Sequence, residues 1–276
     1  MALVPFPGGK TGALQVPPDD PEDQDESSEG KMSFLEHLEE LRKRIINSCL
    51  GIAVGIGLSF FYIQQIYDFL TAPAVATLPE GSRLIYTQPT EAFSLYIQIS
   101  LISGAALAAP WIMYQVWRFI APGLYANEKR FVVPFVVFST LGFVGGAAFN
   151  HYVAYPFIMT YFASFNTPRL VYMPQLSEVF GLYVKMLLGL GVIFQMPTIV
   201  FFLAKMKLVT GRFLMSQFKL AILLIVITAA VITPTGDPMT LMIFSAPMVG
   251  LYTLSIAIAY LVGPKRLKNT DSAPEA

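Results

Sequence analysis

Six apolar stretches, at about residues 45–63, 93–114, 131–149, 179–204, 220–232 and 239–262, constrain this chain more than any other feature. Most approach the ~20 residues that a helix needs to cross a hydrocarbon core ~30 Å thick. With these stretches counted as six crossings, fifteen of the 18 lysines and arginines fall on one side, and Arg83, Arg169 and Lys185 fall elsewhere. The positive-inside rule makes that side cytoplasmic and puts both termini there. The expected fold class is therefore all-α: a polytopic membrane protein, a six-transmembrane-helix bundle with cytoplasmic N and C termini. If the short fifth stretch were not a span, the basic C-terminal tail would lie outside.

Composition agrees, with 55% hydrophobic and only 13% charged residues, a poor match to a soluble globule. The net charge of +0 hides an uneven distribution. Ten of the 18 acids precede residue 41, so the membrane-embedded remainder is basic and suits an anionic cytoplasmic leaflet. No nucleic-acid partner is needed to explain the basic residues. Cys49 is the only cysteine, which excludes an internal disulfide and a cysteine-based metal site, and it is expected to pack as a small apolar residue.

The chain reads as three parts: an acidic, Pro-rich, disordered tail at 1–31, a membrane domain at 32–264 and a cytoplasmic tail at 265–276. Ser33-Phe34-Leu35-Glu36 has the pattern of a capping box that opens a helix. Phe34, Leu35, Leu38, Leu41 and Ile45 then recur at helical spacing, as in a helix lying on the membrane before turning into it. The connection at 109–130 holds Trp111, Tyr114 and Trp117, residues that favour the interface, and a Pro122-Gly123 break. Pro156, Pro168 and Pro174 are expected in a shaped outer connection.

Intramembrane polar residues are the other candidates, because a charge in hydrocarbon is expensive unless it faces protein or water. Glu91 either caps the second span or has a functional role, and Lys185 sits where it can snorkel outward. Gln195 can hydrogen-bond a partner helix at depth or be satisfied within its own bundle. Lys219 and Pro234 bracket a fifth stretch so short that it would thin the bilayer around it. His37 and His151 are too far apart in sequence to suggest a metal site. Judged on residues alone, a secondary transporter or channel for a small solute is the alternative function, although no inverted repeat supports it.

The segment Ser33-Phe34-Leu35-Glu36-His37-Leu38-Glu39-Glu40-Leu41-Arg42-Lys43-Arg44 and the segment 109–130, which ends Ala126-Asn127-Glu128-Lys129-Arg130, closely resemble the TatC family. This family is the multispanning receptor subunit of the twin-arginine protein translocase, and the resemblance covers about residues 32–264. It implies a non-enzymatic receptor in the bacterial cytoplasmic (inner) membrane, or a thylakoid, that binds twin-arginine signal peptides of folded cargo. It also implies a homo- and hetero-oligomer with single-span subunits of TatA and TatB type, no cofactor, and energy from a proton gradient.

Glu40 and Glu128 match the family's signal-binding acids, and a carboxylate can meet an arginine fork in two parallel hydrogen bonds. Judged by position alone, Glu40 is an i to i+4 partner for Arg44, and Glu128 is an interfacial charge beside Lys129 and Arg130. Gln195 stands where many relatives carry glutamate, so it can bond but cannot exchange a proton. Asp237 matches an acidic family position and is expected to fix its turn, with a proton-linked role as the alternative.

Overall fold

The computed structural model describes residues 34–79, 82–120, 132–167, 169, 171–233 and 237–262. Both tails, Ser33, Pro122-Gly123, Glu128, Pro168 and 234–236 lie outside the described residues. The chain divides into two compact units at Glu39/Glu40, and the described part of the first is the opening of helix α1.

Helices make up the described residues apart from their connections, which include an isolated bridge from Ile85 to Gln175. In order they are α1 (Phe34–Phe61), α2 (Ile63–Ala76), α3 (Glu91–Leu107), α4 (Ala109–Ile120), α5 (Val132–Phe149), a π turn (Asn150–Ala154) and α6 (Tyr155–Ala163). They continue with α7 (Leu176–Ile193), α8 (Met196–Lys205), α9 (Gly211–Ser216), α10 (Phe218–Ile232) and α11 (Pro238–Val262). In hydrocarbon each backbone amide must find a partner within the protein, and a helix supplies it locally.

Among the described residues, Leu35–Phe61, Val133–Ala163, Leu176–Lys205 and Pro238–Val262 are long and apolar enough to cross a membrane. Helices α3 and α4 make a fifth if the pair, bent by 55°, is one span, and α10 is a shorter apolar helix of 15 residues. The chain is thus an all-helical, polytopic membrane protein.

Several expectations change in detail. The amphipathic start does not lie apart from the first span, because α1 runs unbroken from Phe34 to Phe61. The second apolar stretch bends at Ala108, just before Pro110, rather than running straight to Tyr114. The third continues through the π turn to Ala163, so Pro156 is helical instead of lying in the outer connection. A π turn shifts the register by one residue beside a proline whose ring nitrogen has no hydrogen to donate. Cys49 is exposed on α1 instead of packed inside. Helix α2 went unrecognised in the sequence because Gln64, Gln65 and Asp68 break its apolar run.

The main core joins α7 and α11 to α6 and α10 through Met186, Leu190, Phe244, Met248, Ile158 and Ala229, all almost wholly buried. Helix α11 lies along α8, and α4 lies along α5. Trp117 does not stay at the interface: it is buried against Phe135 and Phe202, with ring centroids at 4.6 and 4.7 Å, and so ties α4 to α5 and α8. Trp111 is exposed, and its Nε1 donates to the Asn47 carbonyl at 2.9 Å.

Helix α1 reaches α3 through Gly55 and Gly104, and α4 through Gly51. A Cβ added at Gly55 would run into the Gly104 carbonyl oxygen, and one at Gly51 would meet the Trp111 ring. Small residues allow such backbone approach where no hydrophobic effect drives helices together. Gly55→Ala should therefore destabilise the protein by about 1–3 kcal/mol through overpacking. Gly57→Ala, with nothing within 4 Å of its added carbon, should leave thermal unfolding in detergent unchanged or raise its midpoint, since alanine is the better helix former.

Candidate functional site

Glu40 and Arg44 are one helical turn apart on α1, so their side chains share a face. Arg44 Nη2 donates to Glu40 Oε1 at 2.8 Å, with only 13% and 14% of the side chains exposed. Arg44 Nη1 reaches Gln115 Oε1 on α4 at 3.4 Å. Gln115 is 2% exposed. Among the described residues, Glu40 Oε2 and Arg44 Nε are buried and have no hydrogen-bond partner. The carboxylate therefore already holds one guanidinium through one of its oxygens. Glu128 lies outside the described residues, so Glu40 is the signal-acid candidate with a described environment.

Gln115 escaped sequence reasoning. It sits in the connecting motif, 71 residues from Arg44, and its only sequence signal was a lone amide on an otherwise apolar stretch.

Gln195 lies at the break between α7 and α8, before Pro197. Its Nε2 donates to the Ser139 carbonyl of α5 at 2.9 Å. A cavity beside this contact is lined by Trp117, Ser139, Thr198 and Phe202. The amide is thus satisfied within the bundle. Asp237 caps α11: its Oδ2 accepts from Thr240 N and from Thr240 Oγ1, both at 2.8 Å, satisfying an amide that the helix start leaves unpaired.

Glu91 proves to be a structural clamp. One carboxylate oxygen accepts from Thr87 N at 3.0 Å and from Gln175 Nε2 at 3.2 Å, and the other accepts from Ser177 N at 2.9 Å. It thereby joins the start of α3 to the start of α7, near which Leu176 N donates to the Ile85 carbonyl at 2.8 Å and Ile85 N to the Pro174 carbonyl at 3.1 Å. His151 in the π turn stacks on Phe69 of α2 at 4.0 Å, with its Nδ1 3.2 Å from the Tyr183 hydroxyl. Lys185 is exposed on α7.

The family model for Sec-independent protein translocase protein (TatC) matches residues 36–247. The chain belongs to the TatC family. It is 43% identical over 248 residues to the Sec-independent protein translocase protein TatC of Koribacter versatilis (strain Ellin345), covering 89% of this chain and 91% of that one. Identity to the TatC protein of Desulforapulum autotrophicum is 38% over 247 residues, with 90% and 91% covered. Among solved structures, the crystal structure of the twin arginine translocase receptor TatC superimposes with a TM-score of 0.71 at 33% identity, covering 82% of this chain and 99% of that one. The TatC fold of α3 and α7 is held at one end by Glu91. Glu91→Ala should lower the unfolding midpoint in detergent and speed proteolysis between α6 and α7, whereas Lys185→Ala on the exposed side of α7 should change neither.

Proposed function

We propose that this TatC-family chain is the receptor and core subunit of a twin-arginine translocase in the bacterial cytoplasmic membrane. It binds twin-arginine signal peptides through Glu40 and Glu128 and assembles with single-span subunits of TatA and TatB type to export folded proteins. In this reading the chain crosses six times, with α3 and α4 as one bent crossing and α10 as a short one, and both termini are cytoplasmic.

The observation that carries the proposal is the guanidinium on Glu40. A carboxylate at the start of the first span, screened from water and within 2.8 Å of an arginine fork, already has the chemistry that an arginine signal requires. Oε2, buried and without a partner among the described residues, is a second acceptor for an incoming arginine once the pair opens. That arginine can also replace Arg44 on Oε1, with Gln115 left to hold the displaced fork. Lysine presents a compact, strongly hydrated charge and cannot form the paired planar contact, so arginine is preferred. Glu128 would supply the second carboxylate.

The short α10 fits the same function. Its 15 residues reach only ~22 Å at 1.5 Å per residue, less than a ~30 Å core, so the adjoining bilayer would thin and the barrier to polar protein would fall. No observation favours a small-solute path. Glu91 and Gln195 are engaged within the bundle at different places, and Lys185 is exposed at a third.

Photo-crosslinking from positions 40 and 128 to a signal peptide tests the reading. A peptide with paired arginines should crosslink and one with paired lysines should not, and Glu40→Gln with Glu128→Gln should abolish binding while the protein still inserts. Equal crosslinking of both peptides, or undiminished binding by the double variant, would refute the assignment.

A further inference from the structure

Next to the Glu40–Arg44 pair, an open cavity of about 700 Å³ lies between α1, α4 and α5. Its polar lining is Arg44, Asn47, Trp111, Tyr114, Gln115 and Arg118. Two guanidiniums face one cavity, and among the described residues that line it there is no carboxylate. Arg44 Nε is buried and unpartnered among the described residues. Arg118 is exposed, touches the Tyr114 hydroxyl at 3.4 Å and lies 5.7 Å from that ring's centroid. An arrangement with this excess of donors calls for an anion, and a phosphate oxygen matches the arginine fork.

The cavity does not end at its polar part. It shares Asn47, Leu107 and Trp111 with an apolar groove along α1 that runs past Leu50, Val54 and Leu58. These side chains recur every fourth residue on one face and are exposed, Val54 by 65%. From Asn47 to Leu58 the helix rises ~16 Å, about half of a ~30 Å hydrocarbon core. Gly51 and Gly55 keep the floor of the groove free of side chains where α1 meets Trp111 and α3.

We propose that this continuous surface binds one anionic glycerophospholipid, with its phosphate between Arg44 and Arg118 and one acyl chain along Leu50, Val54 and Leu58. The tryptophan and tyrosine at the rim suit the headgroup level. Arg44 is then shared between the lipid phosphate and Glu40. A bound lipid draws its charge away from the carboxylate and cancels repulsion that the two guanidiniums would present to an incoming arginine.

Native mass spectrometry of the full-length protein in detergent, with added dioleoyl phosphatidylglycerol or phosphatidylcholine, tests this. One phosphatidylglycerol should be retained in preference to phosphatidylcholine, and glycerol phosphate should not displace it. Arg118→Gln, an exposed change that leaves the Glu40 pair in place, should reduce retention roughly fivefold, the effect of one juxtamembrane charge. Val54→Trp, which fills the groove, should reduce it as well, and Arg212→Gln on α9 should not. Retention unaltered by Arg118→Gln or by Val54→Trp, equal loss with Arg212→Gln, equal retention of both lipids, or displacement by glycerol phosphate would each overturn the proposal. Signal-peptide binding is read separately, so failure of Glu40 as a receptor would leave this outcome intact.

Discussion

Backbone hydrogen bonding without water is the constraint on which the rest of this structure depends. Inside hydrocarbon an amide left without a partner is too expensive to keep, so the apolar stretches must be helices. Departures from regular helix survive where local bonds continue across them. At the 55° bend, Ala108 N still bonds Gly104 O and Ile112 N bonds Ala108 O. At the α7–α8 break, Phe194 N bonds Leu190 O and Ile199 N bonds Gln195 O. Each break then has a structural use: the bend turns α4 so that Trp117 enters the packing of α5 and α8, and the second break presents Gln195 to α5.

The same economy of polar groups governs the proposed receptor face. Glu40 and Arg44 neutralise each other at 2.8 Å in a setting that excludes most water. Exchanging one guanidinium for another alters the local Coulomb energy little, because the incoming charge replaces one of equal sign and shape. In the proposed reading, net affinity for a signal comes from contacts that Arg44 does not already make: a second arginine on a second carboxylate, and apolar peptide against the bundle. Selectivity is a separate matter. Glu40 already holds a planar fork, so in the proposed site a lysine would leave part of that geometry unmatched.

Much of this was legible in the sequence, and the parts that were not share a cause. The apolar stretches, the uneven basic charge and the two motifs pointed to a helical membrane protein of the TatC family, and Glu40 with Arg44 was visible as an i to i+4 pair. Gln115 was not visible as their neighbour, since 71 residues separate it from Arg44. Glu91 was legible only as either a cap or a functional residue, whereas its carboxylate reaches Ser177 across 86 residues. Trp117 had the look of an interfacial residue, yet it is 1% exposed. Periodicity reports which face of a helix is apolar, and it is silent about which neighbour covers that face.

By itself the sequence determined that this chain lives in a bilayer as packed helices, because segment length and hydropathy are local quantities weighed directly against a hydrocarbon slab. It also carried the family, since motif residues are read in order along the chain. The tertiary structure alone decided where the helices bend, that Gln195 bonds the Ser139 carbonyl, that Glu91 clamps α3 to α7, and that Arg44 and Arg118 face one cavity. Those outcomes depend on pairs of groups distant in sequence, and only the close approach of helices, set by glycines such as Gly55 and Gly104, brings them within bonding distance.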